Sequence, residues 1–206
     1  MSIVKLNNNG VKNATAFGSI SSLGSMTFIK KLTASSSGTL SFVNGASSVV
    51  LDSTYKEYVF TLNNIHPETD GQKITFQSST NTGSSYGVTA TSSAFDAEHS
   101  EGGATSFSYN TSGDLAQGTA YQPLSQNNVG NDNDQNAVGI LHLFNPSSTT
   151  FVKHFIYTGS SLNSGDYLSH DFVAGYFNTT SAVDAIQFKM ESGNIDAGDI
   201  CLYGIA

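Results

Sequence analysis

The chain has 206 residues and a formal net charge of −8, and all eight of its positive charges are lysines. With no arginine fork and no basic cluster, a nucleic-acid partner is not expected. Only 12% of residues are charged, and Ser, Thr, Asn and Gly supply the polar surface instead, a composition that suits strands and turns rather than long helices.

The length fits one domain, or one domain plus an arm. The start, Met1-Ser2-Ile3-Val4-Lys5-Leu6, lacks the apolar core of a secretory signal, and no stretch approaches the roughly 20 apolar residues of a membrane helix. Synthesis in the cytoplasm without membrane insertion is therefore expected. The single cysteine, Cys201, excludes an intrachain disulfide; between Ile200 and Leu202 it reads as a small buried hydrophobe.

Residues 1 to 24 are short on large apolar side chains, with Phe17 and Ile20 isolated among Ser, Asn and Gly. Such a segment cannot build a core of its own, so it is read as an N-terminal arm, docking on a neighbour or disordered. From residue 25 onward the signals are strands. Met26–Leu32 and Thr39–Val43, joined by Ser35-Ser36-Ser37-Gly38, suggest a hairpin. Tyr58, Phe60 and Leu62 alternate with smaller residues and share one face of a strand over Tyr58–Leu62, which Asn63-Asn64-Ile65-His66-Pro67 then breaks. Ile74-Thr75-Phe76 repeats the alternation.

Residues 78 to 136 are the least regular part, with aromatic islands at Tyr86, Phe95, Phe107, Tyr109 and Tyr121. Short strands and long loops are expected there, with one helical turn at Asp114–Gln117. Long loops in a compact domain carry function or cover something. Ile140-Leu141-His142-Leu143-Phe144 is nearly all apolar and predicts a strand buried on both faces. Phe151–Tyr157, Phe172–Phe177 and Ile186–Met190 predict three more. Ser192-Gly193-Asn194 turns the chain into a last strand, Ile200–Ile205. Recurrent strands without helical period predict an all-β, jelly-roll-like antiparallel sandwich over residues 25–206.

No catalytic constellation stands out, and no enzyme is expected. The five histidines show no close metal-ligand spacing, and His142 and His154 in apolar runs read as packed structural side chains. Asn131-Asp132-Asn133-Asp134 resembles an oxygen-rich calcium loop but lacks the glycine and downstream glutamate of an EF-hand. It reads as a solvated loop, with Ca2+ at Asp132 and Asp134 the alternative. Asp96, Glu98 and Glu101 read as solvated acids rather than a glycosidase pair. The chain has no Trp, so a sugar platform would fall to the loop tyrosines Tyr86, Tyr109 and Tyr121.

Five segments in order resemble tailed-phage virion structural proteins, including marine and cyanophage versions. They are Met1–Asn8; Tyr55–Gly71, which follows a Y-x-x-Y-x-F-x-x-x-N-I-x-P-x-T-D pattern; Phe144–His154; Tyr176–Gln187; and the ending S-G-N-I-D-A-G-D-I-C-L-Y-G-I. The resemblance implies a lectin-like β-sandwich exposed on the particle, as a capsid decoration or cement protein or a tail, knob or fibre component. It implies a homo-oligomer, a trimer favoured, in contact with other virion proteins. The alternative is a carbohydrate-binding, receptor-recognition module holding a host surface glycan. The resemblance brings no catalytic motif, and it leaves the loops of 78 to 136 uncovered.

Overall fold

The computed structural model describes residues 25–206, so the arm expected over residues 1 to 24 lies outside the described residues. The described chain is all-β and antiparallel, in two sheets. The larger has eight strands in the order β1 (Met26–Thr33), β12 (Ile195–Ile205), β3 (Glu57–Pro67), β8 (Ala137–Phe144), β9 (Lys153–Leu162), β10 (Tyr167–Phe177), β5 (Ala90–Ser100), β6 (Thr105–Tyr109). The smaller has four: β2 (Leu40–Val43), β11 (Ala185–Met190), β4 (Ile74–Ser79) and β7 (Gln122–Pro123). The expected β-sandwich is what the chain builds.

The alternating side chains make the core between the sheets. Tyr58, Phe60 and Leu62 on β3 and Leu141 and Leu143 on β8 point inward and are fully buried. From the small sheet, Phe42, Phe76, Ile186 and Phe188 meet them. The rings pack edge-on: Phe42 lies 5.3 Å from Phe60 and Phe76 5.1 Å from Phe155, centroid to centroid. Such pairs add about 0.5–1.5 kcal/mol each beyond the burial of their area.

The last strand closes the fold. β12 lies between β1 and β3 and pairs with both, which ties the end of the chain into the sheet. Gly193, at φ +71°, reverses the chain from the small sheet into β12. Gly198, at φ +118°, sits where the β12–β3 register shifts, and a Cβ there would press on the Asn64 carbonyl 2.5 Å away. The Gly198 backbone lies in a region open essentially to glycine alone, and at Gly193 a Cβ would run into Thr69 Oγ1.

Four expectations are corrected. Met26–Leu32 and Thr39–Val43 do not form a hairpin: β1 pairs with β12 in one sheet and β2 with β11 in the other. The Ser/Gly segment carries the chain across the sandwich, with Ser36 at φ +45°. Asp114–Gln117 is bent chain and not a helical turn; it is held to β5, where the Leu115 carbonyl accepts from the Ser92 N–H and the Leu115 N–H donates to Ser92 Oγ. The irregular 78–136 region contains one long strand, β5. Finally, the Ile140–Phe144 run is buried on one face only.

Candidate functional site

That last correction exposes the main surface feature. On β8, Ala137, Leu141 and Leu143 face the core, while Val138 and Ile140 face outward and stay 38% and 44% exposed. The same holds across the large sheet. The register places Ile140 opposite Thr158, Thr158 opposite Phe172, Phe172 opposite Phe95 and Phe95 opposite Tyr109. One row of outward side chains therefore crosses five strands. A neighbouring row runs from Val138 through Ser160, His170 and Ala97 to Phe107, which is 73% exposed.

Aromatic contacts stiffen this face. The rings of Phe95 and Phe172 stack at 4.8 Å, Phe107 leans on Phe95 at 5.7 Å, and His170 lies 4.3 Å from Phe172. Eight of the nine large apolar side chains exposed among the described residues belong to strands of this sheet and point out from it; the ninth, Phe151, lies in the β8–β9 connection. Soluble proteins rarely leave so continuous an apolar surface in water without a partner for it.

Fixed charge avoids the face. No outward position of β8, β9, β10, β5 or β6 is Asp, Glu or Lys. The acids on this sheet's outer side sit toward the β1 end: Glu57 on β3, and Asp199 on β12, paired with Lys31 at 3.1 Å. Four of the five histidines, His99, His142, His154 and His170, are on the face. His142 Nδ1 is 2.5 Å from Glu57 Oε1. The structural reading of His142 and His154 is thus half met: both are held by neighbours, His142 by Glu57 and His154 against the Tyr176 ring at 5.8 Å, but both face outward.

The three tyrosines do not form one platform. Tyr109 stands on β6 at the rim of the large face, its hydroxyl donating to Asp114 at 2.5 Å, and this bond holds its pKa above the ordinary phenol value. Tyr86 and Tyr121 lie on the other side of the molecule. Tyr86 lines a polar cavity of about 340 Å³ with Thr80, Ser85, Gly87, Val88 and Asn178. The Tyr121 hydroxyl donates to Gln187, and Lys189 sits 4.6 Å over its ring. Burial pushes the Tyr121 phenol up. The loops here cover the outer side of the small sheet, where Gln77 Nε2 donates to the Thr119 and Ala120 carbonyls at 3.2 and 2.8 Å.

Asp96 and Glu98 are on the inner side of β5, and Glu101 lies in the turn that follows. Asp96 is paired across the sheet with Asp171, an inward residue that sequence reading passed over. Asp171 is fully buried and accepts from the Gln126 N–H at 2.9 Å, Ser169 Oγ at 2.8 Å and Ser161 Oγ at 3.0 Å. Burial pushes its pKa up to about 6, against which these bonds work. Burial, and then the charge of Glu98, raise Asp96 as well. This layer fastens the loop after β7 onto β10 and β5.

Comparison with protein-family models, curated proteins and solved structures finds no match. The site therefore rests on its geometry.

The acidic loop is tied down by protein contacts. The Asn131 N–H donates to Asp70 Oδ1 at 3.3 Å and the Asp132 N–H to Gln135 Oε1 at 3.2 Å. Asp132 and Asp134 are both exposed, and among the described residues no three His, Cys, Asp or Glu gather as a metal cluster. The outer face escaped the sequence reading although its signal was present. A run of five nearly all apolar residues at Ile140–Phe144 marks a strand with two apolar faces, and two apolar faces mean either burial on both sides or one side awaiting a partner.

Proposed function

We propose that this chain is a surface-exposed structural component of a tailed-phage particle, either a capsid decoration or cement protein or part of the tail, knob or fibre. The observation that carries the reading is the order of five segments, from Met1–Asn8 to the S-G-N-I ending, that resemble such proteins along most of the chain. The β-sandwich agrees with the lectin-like body which that resemblance implies. The broad uncharged face supports it further, because a protein whose work is assembly needs a large flat contact surface more than a deep reactive cleft. On this reading the partners are other virion proteins.

Carbohydrate recognition is the second reading. It is favoured by the hydroxyl- and amide-lined cavity beside Tyr86, which suits a polar, uncharged ligand.

Immunogold electron microscopy of purified particles, with antibody against this chain, tests the proposal. Label over the head is expected for a decoration or cement role. Label on the tail or fibres places receptor recognition through the Tyr86 cavity first. Particles that stay unlabelled by an antibody proven against the native protein overturn the virion reading.

A further inference from the structure

We propose that the outer face of the large sheet is a self-association surface, on which a second copy of this chain packs face to face across a two-fold axis over β9 and β10. The inference stands on the face itself and holds whether or not the chain is a virion component.

Three observations select a second copy as the occupant. The first is charge. The protein carries −8 overall, so two copies repel unless they meet where the acids are missing. The five-strand area of β8, β9, β10, β5 and β6 is such a place, since no outward side chain there is Asp, Glu or Lys. A partner recognised by fixed charge would find no Asp, Glu or Lys to pair with there. A partner of the same uncharged, apolar character fits, and this face is itself such a surface.

The second is size. Five strands at about 4.8 Å spacing, of 8, 10, 11, 11 and 5 residues at roughly 3.3 Å each, cover about 700 Å². A stable interface takes roughly 800 Å² from each partner. The face comes close to that area without the loops or the β1, β12 and β3 end of the sheet.

The third is shape and composition. The face is a sheet, and two sheets stack about 10 Å apart with interdigitating apolar side chains, as the inner faces of this sandwich already do. Ile140, Ile156, Leu168, Phe172, Phe95 and Phe107 supply such side chains, interleaved with Thr158 and Ser160. A surface that meets itself is isologous, so the assembly closes at two copies. This gives a dimer in place of the threefold assembly that the sequence resemblance suggests.

The test uses sedimentation velocity on the full chain at about 100 µM, well above the dissociation constants of micromolar interfaces. Two substitutions place a charge on the face at exposed positions of β9, Ile156→Glu and Thr158→Lys. The wild type is expected to sediment as a dimer. Each variant is expected to be monomeric, with the dimer weakened at least about tenfold, because the new charge meets its own symmetry mate across a water-free contact. Thr158→Lys removes no apolar side chain, so it keeps the test valid if Ile156→Glu is unstable; unchanged circular dichroism and melting of the variant establish that it is folded. A monomeric wild type, a wild-type trimer, or a dimer that survives folded Thr158→Lys overturns the proposal.

Discussion

Asp171 shows how a single residue links the fold to pH. Its carboxylate is enclosed between β10 and the loop after β7, and it satisfies one backbone N–H and two hydroxyls. Burial outweighs those bonds and raises its pKa to about 6 from its ordinary 3.8. The folded state therefore holds this proton more tightly than the unfolded chain does. The group's contribution to stability is full below about pH 4 and is lost as pH rises through about 6. A shift of this size is worth up to roughly 3 kcal/mol. Asp171→Asn keeps the Oδ1 acceptor for Gln126 and Ser169 and turns an N–H toward the Ser161 hydroxyl, without a charge to bury. The variant should match the wild type at pH 4, melt higher at pH 7.5, and show a flatter slope of melting temperature between the two. The slope should not vanish, because Asp96 is raised in the same layer. Thermal melts over that range decide it, and an unchanged slope would mean that Asp171 stays charged in the fold at little cost.

Strand pairing holds a second kind of constraint. Gly139 on β8 and Gly159 on β9 are register partners, and the buried Tyr157 ring lies across both, its hydroxyl donating to the Val138 carbonyl at 3.3 Å. A Cβ on either glycine would collide with that ring. Gly159→Ala should destabilise by about 1–3 kcal/mol through overpacking. The loss should shrink in a Tyr157→Leu background, since the two positions share one volume; urea midpoints of the four proteins measure the coupling. Strands were the part of the fold most open to sequence reading. The alternation of Tyr58, Phe60 and Leu62 against Val59 and Thr61 sets which side chains enter the core, and alternation is local. Pairing is not local. The Ser35–Gly38 segment has hairpin composition, yet Ser36 at positive φ sends β2 to the other sheet, a choice made by the contacts of β12 and β11 far along the chain. Asp171 was hidden for a related reason: in Leu168–Phe177 a polar residue on the inner face becomes tolerable only once Ser161, Ser169 and the Gln126 N–H arrive from other segments. The candidate site was half visible. Its apolar residues could be counted, but which face of each strand would meet the small sheet and which would point outward depended on pairings between distant segments.

At the scale of the whole molecule, the chain's two described ends hold each other. β1, the first described strand, has only β12 as a sheet neighbour, and β12 also supplies one of the two neighbours of β3. Ile195, Ile200 and Leu202 of β12 are fully buried in the core, the last two beside their register partners Leu62 and Phe60. Closing this arrangement requires contacts between residues about as far apart in sequence as the described chain allows, and such pairings form late and slowly. Among the described residues β12 alone pairs with both β1 and β3, and its glycine bends sit against Thr69 and the bulge at Asn64. Truncation after Glu191 should therefore remove cooperative folding altogether, rather than fray one edge. The shortened protein is expected to lose its near-ultraviolet circular dichroism and its sharp melting transition, and to expose the faces of β1 and β3 to aggregation. A truncated chain that still melts cooperatively would show that β3 and β8 to β10 with the small sheet form an independent unit, and that the C-terminal strand is an addition to the fold rather than its closure.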